Sequence, residues 1–383
     1  MSTPSQPSQP IPMVDLAGQY AKIQPELDTA LLAAVRGGAY IQGPEVKAFE
    51  QELSAYLGGA HVIPCANGTD ALQLALMALD LKPGDEVITA TFTYVATAEV
   101  IALLGLAPVL VDVRPDTFSL DLAQVRAAIG PNTKAIVPVH LYGQAADMED
   151  LLTLAKQHDL AVVEDCAQAI GAVYTFSDGR QAQVGTLGTI GCTSFFPSKN
   201  LGCMGDGGAV YTHDAALAER IRMMANHGQK VKYRHDVIGC NSRLDTLQAA
   251  ILRVKLPHLD HYIRARQEAA AYYDASLGQL EELVIPARNP ASTHVFHQYT
   301  LQVKNGQRDA LKAHLEAAGI PSMIYYPWPL HEQPAFASDR HPQGAFPVAE
   351  QLCQEVLSLP MHTELTPTIQ DYILQNIHTF FQA

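Results

Sequence analysis

The chain has 383 residues, a formal net charge of −14, 48% hydrophobic and 17% charged residues, which is the make-up of an ordinary globular protein of two domains or of one large α/β domain with an appendage. The acidic balance argues against nucleic acid as a partner, and no apolar stretch reaches the length of a membrane span. Six scattered cysteines form no CxxC pair and no zinc-spaced Cys/His cluster, so no metal site is expected and a reducing, cytoplasmic compartment is the simple reading.

Residues 1–10, MSTPSQPSQP, are polar and proline-rich and lack the basic start and apolar core of a signal peptide. They read as a flexible tail. Residues 11–20 read as extended or irregular. A helix is expected over 25–35, ending near Gly37-Gly38, and another over 45–57, where Val46, Phe49, Leu53 and Leu57 fall at helical spacing.

An alternation then begins. Strands are expected at 61–64, 86–90, 107–113, 135–139 and 161–164, and helices at 68–79, 95–104, 120–129 and 147–158. Strands alternating with helices imply a parallel sheet covered on both faces. Ligands of such sheets sit at the carboxyl ends of the strands. Residues 189–196 and 208–212 are strand-like, and their connection is too short for a parallel crossover, so one antiparallel strand is expected. Helices follow at 215–224 and, kinked at Pro257, over 244–275. Beyond Gly278 the segments 296–303, 308–318 and 349–357 read as a second, smaller domain.

Four stretches meet at the strand ends if the strands are parallel. Asn67-Gly68-Thr69 opens a helix and offers backbone N–H groups and a hydroxyl to an anion, although an ordinary helix cap has the same sequence. Phe92-Thr93-Tyr94 supplies rings that either stack on a flat cofactor or pack on a helix. Glu164-Asp165-Cys166-Ala167-Gln168 puts carboxylates at the end of a buried strand, where they need partners. One of them could hold a protonated pyridine nitrogen, with Gln168 on a ring hydroxyl, or could pair with a cap or an arginine. Ser194 lies five residues before Lys199, which is followed by Gly202, Gly205, Gly207 and Gly208. A lysine among glycines suits covalent chemistry with an aldehyde, and alone it equally fits a solvated hairpin loop. Together, in this order, they meet the needs of pyridoxal 5'-phosphate: a lysine, an acidic partner, a phosphate cup and a stacking ring.

The order NGTDAL, TFTY, EDCAQA, SFFPSKNLG, GDGG and GCNSRLD resembles the DegT/DnrJ/EryC1/StrS family of sugar aminotransferases over nearly the whole chain. The resemblance implies the type I fold of pyridoxal phosphate enzymes. That fold is a mainly parallel seven-stranded sheet with helices on both faces and a smaller C-terminal α/β domain, here 11–260 and 261–383. It implies a homodimer with shared active sites, a nucleotide-linked keto sugar as acceptor and glutamate as donor. Lys199 matches the lysine that joins the cofactor, Asp165 the partner of the pyridine nitrogen, and Gln168 the residue near the ring hydroxyl. Gly68, Thr69 and Ser194 match the phosphate cup, Tyr94 the stacking ring, and Asn241 an asparagine reaching the phosphate from the other subunit. Relatives with histidine in place of this lysine dehydrate instead, so Lys199 favours transamination.

Within the family the chain is most similar to enzymes acting on UDP-linked 3-keto N-acetylglucosaminuronic acid, which install a 3-amino group for O-antigen sugars. Arg243 matches their carboxylate-contacting arginine. Tyr325 and Tyr326 fall in their substrate segment, with Tyr325 where that subgroup has histidine. The segment 220–235 carries Arg220, Arg222, Lys230, Lys232 and Arg234, a local positive patch suited to a diphosphate or a solvated face. Three other readings stay open: an aminotransferase for 4-keto sugars, a regulator that binds pyridoxal phosphate without turnover, and a lysine-dependent aldolase with no cofactor.

Overall fold

The computed structural model describes residues 10–382; of the expected tail, residues 1–9 lie outside the described residues. The first element already departs from the sequence reading. Helix α1 (Leu16–Gly37) begins inside the stretch expected to be irregular and carries Pro25 in its interior. Asp15 starts it by accepting the Gly18 N–H at 2.7 Å, so the aspartate is the N-cap and the proline is not a first-turn residue. Gly38 ends it at φ +71°, a left-handed conformation natural to glycine. Helix α2 (Pro44–Tyr56) follows with proline in its first turn.

Seven strands then form the main sheet, with a short hairpin, β6 (Val173–Thr175) and β7 (Gln181–Gln183), lying outside it. They are β1 (His61–Cys65), β2 (Glu86–Ala90), β3 (Ala107–Val111), β4 (Thr133–Val137), β5 (Ala161–Asp165), β8 (Ile190–Ser194) and β9 (Gly208–Thr212), in the order β1-β9-β8-β5-β4-β2-β3. Every pairing is parallel except those of β9, which runs against both β1 and β8. This is the antiparallel strand required by the short connection after Ser194.

Helices α3 (Gly68–Ala78), α4 (Ala96–Leu103), α5 (Leu122–Ala128), α6 (Met148–Gln157) and α7 (Ala215–Met224) supply the crossovers and flanks. Side chains alternate between the two faces of each strand. Ile88, Ile136 and Val162 enter one core with Phe49 and Leu53 of α2, while Val87, Val137 and Val163 enter the other with Leu72 and Leu76 of α3 and Ile221 of α7. Each such burial is worth about 1.5–3 kcal/mol, so both faces are held by apolar burial.

After a two-stranded ribbon, β10 (Gln229–Val231) and β11 (Arg234–His235), the expected long helix appears as α8 (Thr246–Lys255) and α9 (Leu259–Leu277). A tight helical turn containing Pro257 joins them, because proline removes one backbone donor there. Leu259 and Ile263 of α9 pack on the large core. Tyr273 and Leu277 of the same helix join a separate core under the sheet β12 (Leu283–Val284), β13 (Tyr299–Val303) and β14 (Val356–Leu359). Helices α10 (Arg308–Ala317), α11 (Pro347–Glu355) and α12 (Pro367–Gln382) complete the chain. The segment expected over 349–357 is therefore the body of α11 running straight into β14. No helix among the described residues is long and apolar enough to cross a membrane.

The C-terminal segment returns to the main sheet at two strand ends. Asp112, just past β3, accepts the N–H groups of Val348 and Ala349 at 2.9 and 2.8 Å and so caps α11. Thr91, just past β2, accepts the Leu330 N–H at 2.8 Å through its carbonyl and lies 2.9 Å through Oγ1 from His331 Nδ1. His331 Nε2 is 3.0 Å from Glu350, so both ring nitrogens are engaged. This latch brings residues 325–331 over the carboxyl ends of the strands.

Candidate active site

A cavity of about 790 Å³ opens where the parallel strands end, and it gathers Gly68, Thr69, Tyr94, Asp165, Gln168, Ser194, Lys199, Tyr325 and Tyr326. Its floor is the start of α3. Asn67 Oδ1 accepts the Asp70 N–H at 2.8 Å, which leaves the N–H groups of Gly68 and Thr69, with no intrahelical acceptor, for another anion. Ser194, at the end of β8, stands directly against this helix start. A Cβ on Gly68 would meet Ser194 Cβ at 2.7 Å, and one on Gly208 would meet the Asn67 carbonyl carbon at 2.4 Å. Both glycines are therefore dictated by close approach, and together they shape a cup of backbone and hydroxyl donors.

Alternation along β5 separates its two carboxylates. Glu164 turns into the protein, fully buried. It accepts N–H groups of Gly185, Leu187 and Gly188 at 2.8, 2.7 and 2.6 Å and meets His140 Nε2 at 2.8 Å. The Ala146 N–H donates to His140 Nδ1 at 3.2 Å, so Nε2 carries the ring proton and donates to Glu164. Glu164 is a structural clamp. Asp165 turns into the cavity, where Thr97 Oγ1 donates to it at 2.8 Å and the Ala167 N–H at 3.2 Å. A carboxylate so fixed is built to face a cation.

Lys199 sits in a tight loop closed by its own N–H to Phe196 O at 2.8 Å and by Cys203 N–H to Phe195 O at 2.8 Å. Gly202 permits the closure, since a Cβ there would stand 2.3 Å from Pro197 O. The loop leans on α8. Lys255, buried, donates to Gly202 O at 2.8 Å, and Gln248 accepts the Met204 N–H at 2.9 Å and donates to its carbonyl at 3.3 Å. Burial of the Lys199 amine lowers it from 10.5 to about 8, against the opposing pull of Asp165. At pH 7 about a tenth of the free amine is then neutral, against well under a thousandth for an exposed lysine.

Opposite the lysine lies an aromatic wall. The rings of Tyr94 and Tyr326 are 6.2 Å apart, and Tyr94 is 56% exposed, free to cover a flat ligand. Gln168 is oriented from both sides: its Oε1 accepts the Tyr142 N–H at 2.8 Å and its Nε2 donates to Tyr326 Oη at 3.2 Å. Phe92, by contrast, is buried in the core.

Two of the residues singled out from sequence stand elsewhere in this chain. Arg243 lines a second cavity of about 480 Å³ with Lys47, Glu50, Arg222 and Asn226. Asn241 is exposed beside it and bridges Asn226. The resemblance matches Arg243 to a carboxylate-contacting arginine, and within one chain it borders a different opening from the one that gathers Lys199 and Asp165. Other lining residues have no role in the sequence reading. Tyr142, Thr93, Asp206 and His297 all border the site, and Thr97 supports Asp165 from α4. Thr97 lay inside an expected helix and Tyr142 in a gap between elements, and neither carries a local chemical signature.

The donor set fits pyridoxal phosphate. The cup at Gly68, Thr69 and Ser194 would take a phosphate, Asp165 a protonated ring nitrogen, and Lys199 an aldehyde. A model of the DegT/DnrJ/EryC1/StrS aminotransferase family matches residues 21–378. The chain is 48% identical over 376 residues to a pleiotropic regulatory protein of Geobacillus stearothermophilus, covering 97% of this chain and 99% of that one. It is 49% identical to the UDP-N-acetyl-3-dehydro-alpha-D-glucosamine 3-aminotransferase of Acidithiobacillus ferrooxidans, covering 93% and 94%. It is 48% identical to the UDP-2-acetamido-2-deoxy-3-oxo-D-glucuronate aminotransferase of Pseudomonas aeruginosa, covering 93% and 96%. Its structure matches that of S. venezuelae DesV in complex with a ketimine intermediate at a TM-score of 0.93 and 41% identity, covering 98% and 100%. The chain belongs to the DegT/DnrJ/EryC1/StrS aminotransferase family, and it is a pyridoxal phosphate-dependent aminotransferase.

Proposed function

We propose that this family member transfers an amino group from glutamate to a nucleotide-linked 3-keto sugar. The acceptor we assign is UDP-2-acetamido-3-keto-glucuronate, and the 3-amino product serves O-antigen or a related polysaccharide. The observation that carries the reading is the meeting of Lys199, Asp165 and the α3 N-terminus in one cavity. Bound there, pyridoxal phosphate supplies a carbon that carries the amino group and a ring that draws electrons from the substrate's reacting carbon. Asp165 keeps the ring nitrogen protonated. Gly68, Thr69 and Ser194 would hold the phosphate, Gln168 would meet the ring hydroxyl, and Tyr94 would cover the ring face. Lys199 Nζ, with its lowered affinity for protons, would take the proton from the donor's α-carbon.

Asn241 and Arg243 fit this scheme through a homodimer. Both lie outside this chain's own cavity, and Arg243 has no ion-pair partner among the described residues, so we assign both to the partner's site. Arg243 would then meet the sugar carboxylate, with Tyr325 and Tyr326 on the sugar. We place the boundary between the cofactor domain, 11–260, and the small domain, 261–383, within α9. The six free cysteines support a cytoplasmic setting. The test offers glutamate with UDP-2-acetamido-3-keto-glucuronate, with its neutral 3-keto glucosamine counterpart, and with neutral 4-keto sugars. Preference for the uronate is expected, and preference for a 4-keto sugar would end the assignment. A regulatory role, favoured by the Geobacillus relative, predicts cofactor uptake without turnover on any of them.

A further inference from the structure

The segment 294–298 is anchored more heavily than a connection requires. Arg266, buried in α9, donates through Nη1 to the carbonyls of Phe296, His297 and Met361 at 3.0, 3.4 and 3.0 Å, and it meets no carboxylate among the described residues. Val295 N–H donates to Gly143 O at 2.7 Å and Gln298 N–H to Tyr142 O at 3.2 Å. Asn200, next to Lys199 in sequence, donates through Nδ2 to Val295 O at 2.8 Å. Gly143 allows the contact, since a Cβ there would stand 2.8 Å from Phe296 N and 3.0 Å from His297 N. Phe296 takes φ +48°, a strained choice for a bulky side chain. All of this fixes one side chain, His297, at the wall of the cavity.

His297 is only 5% exposed, and its Nδ1 is buried with no hydrogen-bond partner. Burial, together with the positive charges of Lys199 and Arg266, holds its pKa well below 6.5, so the ring is neutral. His297 Nδ1, like Thr93 Oγ1 of the same cavity, is a buried polar atom left unpaired, and such an atom points to a missing ligand. A group near Lys199 is also near the substrate carbon that exchanges the amino group. In the amino acid donor that carbon carries a carboxylate; in the assigned acceptor it is flanked by C2 with its acetamido group and C4 with its hydroxyl, and the 4-deoxy analogue tells these two apart. A desolvated carboxylate calls for a cation, whereas a hydroxyl is met by a neutral donor or acceptor.

We propose that His297 is a substrate-contacting specificity residue that hydrogen-bonds the sugar hydroxyl next to the ketone, the 4-hydroxyl of a 3-keto hexose. The inference rests on the keto-sugar reading and adds a discrimination to it: acceptors lacking that hydroxyl leave the imidazole unpaired.

The test separates the two halves of the reaction in the holoenzyme by following cofactor absorbance. Glutamate is used for one half and UDP-2-acetamido-3-keto-glucuronate, with its 4-deoxy analogue, for the other. In His297→Phe the sugar half-reaction should slow tenfold to a hundredfold in kcat/KM, as for loss of one buried hydrogen bond, while the glutamate half stays within about threefold of wild type. The 4-deoxy sugar should react equally with both proteins, and His297→Asn, which keeps a donor and an acceptor, should recover part of the loss. Calorimetry of the 3-amino product should show the same weakening. An equal fall in both halves, or a fall confined to the glutamate half, would overturn the assignment. So would an undiminished preference of His297→Phe for the hydroxylated sugar. If His297→Phe does not fold, His297→Asn carries the comparison, and wild-type selectivity there together with a slowed glutamate half has the same overturning force. Wild-type protein inert toward every 3-keto sugar would instead remove the keto-sugar reading beneath it.

Discussion

Gly68→Ala isolates the phosphate cup. Gly68 has no left-handed backbone to protect, so alanine is conformationally admissible, and in a helix it is favoured over glycine by up to about 1 kcal/mol. Its Cβ, however, would stand 2.7 Å from Ser194 Cβ. Carbon atoms rest at roughly 3.5–4.0 Å, so the start of α3 and the end of β8 must part by about 1 Å. Overpacking of that kind costs about 1–3 kcal/mol, and set against the helix gain the net loss of stability is about 0–2 kcal/mol. The same displacement pulls the Gly68 N–H away from the Ser194 hydroxyl across the cup. One hydrogen bond to a charged group is worth about 1.5–3 kcal/mol, so pyridoxal phosphate should bind about tenfold to a hundredfold more weakly. Titration of cofactor-free protein by absorbance, alongside urea unfolding of the same preparation, measures both effects. Affinity within twofold of wild type, with stability lowered as calculated, would refute the placement of the phosphate at α3.

Three further outcomes follow from the geometry. Asp165→Asn keeps the shape but removes the charge facing the ring nitrogen, and turnover should fall by roughly 10²–10³ while the cofactor remains bound, read by steady-state kinetics and the visible band. Glu164→Gln sets an amide NH2 against donors that a carboxylate alone satisfies, so urea denaturation should register a loss of about 3–5 kcal/mol. Lys255 is buried, and its pKa is lowered from 10.5 to about 8, so the fold binds fewer protons than the unfolded chain between those values. Its burial therefore opposes folding below pH 8 and ceases to do so as pH rises to 10.5. Lys255→Met should be more stable than wild type at pH 7 by about 1–3 kcal/mol, with the difference fading toward pH 10.5, as measured by denaturant midpoints across pH.

The parts of this site legible in the sequence are those where chemistry and local pattern coincide. Asp165 and Ser194 end strands whose apolar runs mark them, and Asn67-Gly68-Thr69 has the look of a helix start before any fold is known. Lys199 needed the other three, because a lysine among glycines is equally a surface loop. The reversal at β9 followed from connection length alone, whereas the order of the strands had no local signal. What the pattern missed depends on long-range contact. Tyr142 and His297 reach the cavity, and Thr97 reaches Asp165 behind it, only through contacts between segments distant in sequence, such as Gly143 against Phe296. Helix α1 was misjudged because Pro25 reads as a helix start when Asp15 already is one. Within its own chain Arg243 lines another opening, with Lys47, Glu50 and Arg222, which nothing near it in sequence announces.

The central claim is that Lys199 joins the cofactor in this cavity. Borohydride reduction of the holoenzyme followed by peptide mass spectrometry tests it most directly. A single pyridoxyl label is expected on the peptide carrying Lys199, absent from Lys199→Ala. A label on Lys255 or any other lysine in wild type, or equal labelling of the alanine variant, would contradict the account.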